Sequence, residues 1–294
     1  MSRLRSILST GVVAGAAGLT YSMWEAARYR LRRIAVPVLD PGAEPLRILH
    51  ITDLHLTPAQ QGKAAWIRRL ATLQPDLVVN TGDNLAHPEA VDHALFALDP
   101  LLDFPGVFVM GSNDYYGPVW KNPARYLLPD SGGRVFGEPL PWRDLRDGFT
   151  RRGWTDLDNT SNDLKLRQQA VHAVGTDDAH LGLDEYEDVS VRPVEPGVLR
   201  LGVTHAPYLR VLDAMADDQL DLVFAGHTHG GQLCLPGVGA LVTNCDLPRS
   251  QARGLHTRGD MWLHVSAGLG TSPTAPVRFA CPPEATLLTL SPRA

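Results

Sequence analysis

The chain has 294 residues, 44% hydrophobic and 20% charged, a length and composition that bury a large core and are ordinary for a globular protein. Its formal charge of −5 is uneven: residues 1–33 hold six arginines and one glutamate, so residues 34–294 carry about −10, and such an acidic body excludes a nucleic-acid binder, which needs a basic face. Three cysteines, Cys234, Cys245 and Cys281, are too few and too scattered for a disulfide framework or a thiolate zinc site.

The amino terminus reads as a separate segment over residues 1–35. Arg3 and Arg5 precede an uncharged run, Ile7 to Trp24, and Arg28, Arg30, Arg32 and Arg33 follow it. Its 18 residues are close to the shortest stretch that crosses a bilayer. The expectation is a membrane-associated chain held by this anchor, with the body kept on the cytoplasmic side by the surplus of arginines after the run. Cleavage of the run as a signal peptide, followed by export, and a peripheral helix lying on the membrane surface are the alternatives. No arginine pair precedes the run, which argues against a twin-arginine signal.

From Leu46 to about 291 the pattern becomes that of one α/β domain. "LRILHI" reads as a short buried strand, "GKAAWIRRLATLQ" as a helix through Trp66, Leu70 and Leu73, and "DLVVN" as a second strand. A helix over Pro88 to Leu98 and a third strand, "VFVM", complete a βαβα order. Residues 115–162 are irregular, with a short helix near Trp142 to Arg151; Trp120, Trp142 and Trp154 there either cap a site or pack it. "LRQQAVHAVG", "VLRLGVTH", "DLVFAG", "MWLHVSAG" and "ATLLTLS" read as strands and "YLRVLDAMADDQ" as a helix.

The polar residues fall where these strands end. Asp53-Leu54-His55 follows the first, Gly82-Asp83-Asn84 the second and Gly111-Ser112-Asn113-Asp114 the third. Thr204-His205-Ala206-Pro207 follows "LRLGV", and Gly226-His227-Thr228-His229-Gly230-Gly231 follows "DLVFA". Residues two apart in extended backbone point the same way, so Asp53 with His55, and His227 with His229, each aim a pair of side chains at one side. A single histidine near a strand is more often a core residue than a ligand, and a single Asp or Asn after a strand is more often a turn former. Five such ends in one chain point instead to a metal site.

The series "DLH", "GDN", "GSND", "THAP" and "GHTHGG", in this order, resembles the calcineurin-like metallophosphoesterases, with "SAGLGTS" and "RFACPPEATLLTL" similar to their small bacterial membrane-associated or exported branch. The resemblance implies an α/β fold of two packed mixed β-sheets flanked by helices, a four-layer α/β/β/α sandwich. It implies two divalent transition-metal ions, one held by Asp53, His55 and His229, the other by Asn113, His205 and His227, with Asp83 bridging. Imidazole, carboxylate and amide donors suit Mn, Fe, Zn or Ni. The implied activity is hydrolysis of a phosphomonoester or phosphodiester by a metal-activated water, with a lipid-linked phosphate ester among the substrates an anchor would bring near. A fold kept only as a binding scaffold, catalytically weak or inactive, is the alternative.

One departure bears on this. Family members carry a histidine directly after the ligand asparagine, whereas Asp114 follows Asn113 here, so Asp83, Asn113 and Asp114 are the catalytic candidates. In a second alignment Ser112 takes the asparagine position and Asn113 the histidine position; a serine hydroxyl is the poorer ligand, which favours Asn113. His50 lies within an apolar strand and reads as core. Asn84, His87, Asp177, Asp178, His180 and His256 lie in loops from which they could reach a substrate, though solvation is the simpler reading for each; His87 or His180 is the loop residue that would supply the proton in place of the missing histidine.

Overall fold

The computed structural model describes residues 15–119, 136–189, 191, 193 and 195–293. Trp120 lies outside them, as do residues 7–14 of the uncharged run.

Hydrophobic runs without alternation are strands buried on both faces, and "LRILHI" shows how one is used. In the strand Leu46–Ile51, Leu46 and Ile48 face a core between two sheets while Leu49 and Ile51 face a core under helices. That strand sits in a six-stranded mixed sheet, in the order Arg30–Leu39, Glu284–Pro292, Leu46–Ile51, Leu77–Asn80, Gly106–Phe108, Thr155–Asp156. A second six-stranded sheet runs Gly254–Arg258, Met261–Val265, Leu222–Ala225, Val198–Thr204, Gln169–Gly175, Thr160–Leu166. Val36, Ile48, Val79 and Val107 of the first sheet pack against Val171, Leu201, Val203 and Phe224 of the second.

Helices cover the outer faces. Ile67 of Gln61–Arg69, Leu98 of Val91–Leu98 and Phe149 of Trp142–Arg151 pack on the first sheet. Leu212 and Met215 of Leu209–Asp217 pack on the second. The expected four layers are therefore present. His50 is fully buried between the sheets, its Nδ1 2.8 Å from Nδ1 of His264 and its Nε2 3.0 Å from the Thr81 hydroxyl. Trp154 is buried, and Trp142 packs edge-on against Tyr115 at 4.9 Å.

The amino-terminal segment differs from its expected bounds. Residues 30–35, read as part of it, belong to the strand Arg30–Leu39, which pairs in parallel with the last strand, Glu284–Pro292. Residues 15–25 are helical. Their inner face is docked: Ser22 O accepts from the Arg278 backbone N–H at 3.0 Å, and the Glu25 carboxylate accepts from the Cys281 N–H at 3.4 Å. Among the described residues no helix is long and apolar enough to cross a membrane.

Candidate metal centre

Both sheets end their central strands at one edge, and the loops leaving that edge are bent hard. Asp53, His55, Asp83, His227 and His229 all have positive φ, between 42° and 67°. A left-handed backbone at a residue with a Cβ costs on the order of 1 kcal/mol each, and it persists only where neighbours over-determine it. Here the loops hold one another: Asp53 N–H donates to Gly82 O at 2.9 Å, His55 N–H to Asp83 O at 3.0 Å, and His227 N–H to Asp53 Oδ2 at 3.1 Å. Gly111 is needed at this crossing, because a Cβ there would lie 2.4 Å from Asp83 Oδ1 and 2.7 Å from His205 Nδ1.

The bent loops gather ligand atoms into two overlapping groups, Asp53 with His55 and His229, and Asp53 with Asp83 and His205, each within 4.8 Å. His55 Nε2 and His229 Nε2 are 3.3 Å apart. Asp83 Oδ2 lies 3.6 Å from His55 Nε2 and 3.4 Å from His205 Nε2, so it faces both groups. The Thr81 carbonyl, 2.6 Å from His205 Nδ1, accepts a hydrogen bond from the Nδ1–H and so turns Nε2 toward the pocket. The Asn244 carbonyl does the same at 3.1 Å for His227 Nε2, leaving Nδ1 as the free nitrogen.

The residues present fit divalent ions. Asp53 Oδ1 and His205 Nε2 are buried with no hydrogen-bond partner, although buried polar atoms are nearly always satisfied. Burial pushes the Asp53 carboxyl up to about 7, against the pull of His205, and pushes the His55 imidazole down to about 4. Burial would raise Asp83 too, but the His205 imidazole holds it well below the usual carboxylate range. Burial also holds His227 and His229 well below the usual imidazole range, while Asp83 holds His205 well above it against its burial; such a crowd of buried carboxylates and imidazoles suits a divalent cation, whose charge reverses these desolvation costs.

Three residues behave differently from their expected roles. Asp114, read as a catalytic candidate, is fully buried and turned into the backbone. Its carboxylate accepts from the N–H groups of Asp83, Asn84, Leu85 and Gly111 at 2.7–3.1 Å. It shapes the Asp83 loop and offers no oxygen to a substrate. Asn113 stays at the site, its backbone N–H 2.7 Å from Asp83 Oδ1 and its side-chain amide 2.7 Å from Asp83 Oδ2, but it stands beside Asp83 rather than across from it. His227 is outside both groups; its ring meets His205 at 5.3 Å and His180 at 4.5 Å.

One contributor went unread, and two were read more simply as solvated loop residues. Arg278 is fully buried, and its guanidinium donates to the carbonyls of Ala267, Gly270 and His229, lying also 3.3 Å from His229 Nδ1. It ties the His229 loop to the turn behind Asp53, and nothing in "APVRFAC" marks that task. Asp178 and His180 read as loop residues, yet Asp178 is buried with Oδ2 unpartnered, and burial pushes its carboxyl up to about 7. The signal for both was their place just after the strand Gln169–Gly175, at the edge where the other strands end in ligand residues. His87 lies apart, its Nδ1 accepting from the Glu89 N–H at 3.1 Å.

Comparison with known proteins agrees with this geometry. The family model described as calcineurin-like phosphoesterase matches residues 46–231. Phosphodiesterase YaeI of Escherichia coli (strain K12) is 27% identical, with 99% of each chain covered. Metallophosphoesterase YkuE of Bacillus subtilis (strain 168) is 25% identical over 96% of this chain and 93% of the relative. UDP-2,3-diacylglucosamine pyrophosphatase LpxG of Chlamydia trachomatis is 28% identical over 83% of each.

Proposed function

Because the chain belongs to the calcineurin-like phosphoesterase family, we propose that it is a metal-dependent hydrolase whose substrate phosphorus carries two substituents, as a phosphodiester or a pyrophosphate does. The observation that carries the metal part is Asp83 Oδ2, set 3.6 Å from His55 Nε2 and 3.4 Å from His205 Nε2, where one carboxylate serves two positions. We assign one ion to Asp53, His55 and His229 and the other to His205 and, as the resemblance implies, His227, with Asp83 shared between the two and Asn113 beside it. Two divalent ions supply Lewis acidity and a water that ionises near neutral pH. The relatives support the substrate class, since YaeI is named a phosphodiesterase and LpxG a pyrophosphatase acting on a diacylated sugar nucleotide. A lipid-linked phosphoester at a membrane is therefore the substrate we favour.

The chain's own residues do the positioning. The Thr52 hydroxyl donates to Asp53 Oδ2 at 2.8 Å and the Thr81 carbonyl fixes the His205 tautomer, so the pocket is organised before substrate arrives. No histidine follows Asn113. His180, its ring tilted against His227 at 4.5 Å and its Nδ1 3.0 Å from the Tyr208 hydroxyl, is the imidazole we favour to meet a leaving oxygen. The test is metal analysis of purified protein together with hydrolysis of a bis-aryl phosphate and an aryl phosphate. About two ions per chain and faster turnover of the diester are expected. A chelated, metal-free protein that keeps its full rate overturns the reading.

A further inference from the structure

Among the described residues, ten large apolar side chains are exposed, and seven of them fall in two short segments. Leu19, Tyr21, Met23 and Trp24 line the outer face of the helix over 15–25, while Leu233, Leu235 and Val238 lie on and beside the hairpin formed by Cys234–Leu235 and Gly239–Ala240. Val238, at the hairpin tip, is 71% exposed, and Trp24 52%. The two segments meet at Phe279: Tyr21 packs edge-on against its ring at 5.5 Å, Leu233 pairs with it as a β-bridge, and its carbonyl accepts from Cys234 N–H at 2.8 Å. One continuous apolar surface results. Contiguous exposed apolar side chains rimmed by polar ones mark interaction sites.

The patch adjoins the metal centre. Leu233 follows His229 by four residues, and Arg278, next to Phe279, donates to His229 O. Its rim is basic. Arg28 lies over the Trp24 ring at 4.3 Å, and Arg30, the first residue of the strand Arg30–Leu39, is exposed just beyond. Those arginines belong to residues 1–33, which hold six arginines and one glutamate in a chain whose net charge is −5. An apolar face bearing Trp and Tyr beside arginines matches the chemistry of a bilayer interface with anionic headgroups.

We propose that the helix over 15–25 and the hairpin Cys234–Ala240 form an interfacial docking surface for an anionic lipid bilayer, seating the His229 loop at the membrane. This goes beyond an amino-terminal anchor, because the hairpin lies more than 200 residues away in sequence and belongs to the catalytic domain. The apolar side chains enter the headgroup boundary, and Arg28 and Arg30 pair with headgroup phosphates. The significance of that seating rests on the proposed hydrolysis; the docking itself does not.

The test is flotation of the full chain with phosphatidylcholine vesicles, with and without phosphatidylglycerol, beside the double substitution Leu235→Asp/Val238→Asp. The natural chain is expected to float with anionic vesicles and much less with neutral ones. The double variant is expected to lose at least about tenfold in vesicle affinity and to keep its rate on a soluble bis-aryl phosphate. Arg30→Gln is expected to weaken anionic binding about fivefold, the effect of one basic residue near such a surface. Equal flotation of the double variant and the natural chain overturns the proposal, as does a concentration-dependent dimer that the double substitution abolishes. An absence of hydrolysis with flotation intact would instead sink the proposed function and leave the docking surface standing.

Discussion

From the first sheet the pocket takes Asp53, Asp83 and Asn113 with one imidazole, His55; from the second it takes three imidazoles, His205, His227 and His229. The two sides are prepared differently. The carboxylate side is held by hydrogen bonds that the backbone donates: Asp53 accepts from His227 N–H, Asp83 from Asn113 N–H, and Asp114 anchors the Asp83 loop from behind. On the imidazole side the backbone accepts, through Thr81 O and Asn244 O. The donating bonds stabilise negative charge and the accepting ones fix which ring nitrogen faces the pocket, so each sheet supplies half of a cation site. Packing the sheets makes the site.

The comparison breaks most visibly at Asp83. Asp83→Ala is expected to remove both ions and at least about 10³-fold of activity, the scale on which loss of a preorganised electrostatic group is felt. His227→Ala, on the other sheet, is expected to lose one ion. Equal metal content in the two variants, measured by atomic emission, would erase the distinction between the sides.

Asp114→Ala tests the scaffold behind the carboxylates. It leaves four buried N–H groups without an acceptor, and at 1–3 kcal/mol for an orphaned group a loss of about 3 kcal/mol is a conservative expectation. That lowers Tm by about 6–12 °C in a domain of this size. Asp114→His is expected to destabilise similarly, since an imidazole cannot accept four bonds. A natural Tm in either variant would return Asp114 to the catalytic candidates.

The buried His50–His264 pair sharpens the comparison through pH. Burial pushes the His264 imidazole down to about 3, so the folded state keeps it neutral while the unfolded chain protonates it near 6.5. Its contribution is complete above about pH 6.5 and is lost as pH falls toward 3, roughly 2 kcal/mol by pH 5. Urea midpoints across that window are expected to fall more steeply for the natural chain than for His264→Leu; parallel curves would refute the assignment. The smallest effect is at Thr52. Thr52→Val removes the donor to Asp53 Oδ2 and is expected to weaken metal binding about 10- to 100-fold while leaving the fold intact, as titration with Mn would read.

The sequence by itself determined the βα order, the helix at Trp142–Arg151, the strand ends that carry Asp53, His55, Asp83, His205, His227 and His229, and the reading of His50 as core. Those features are local: a run of apolar residues, a helical period and a glycine-punctuated turn are written in consecutive residues. It did not reveal the strand Arg30–Leu39, whose exposed arginines look unlike a sheet and whose partner, Glu284–Pro292, lies at the other end of the chain. Nor did it disclose Arg278, or that Asp114 serves four backbone amides, or that Asp178 and His180 sit beside the ligands. Each of these depends on groups brought together across two sheets, where burial decides whether a carboxylate is a ligand, a cap or an orphan, and burial is set only when both sheets have packed.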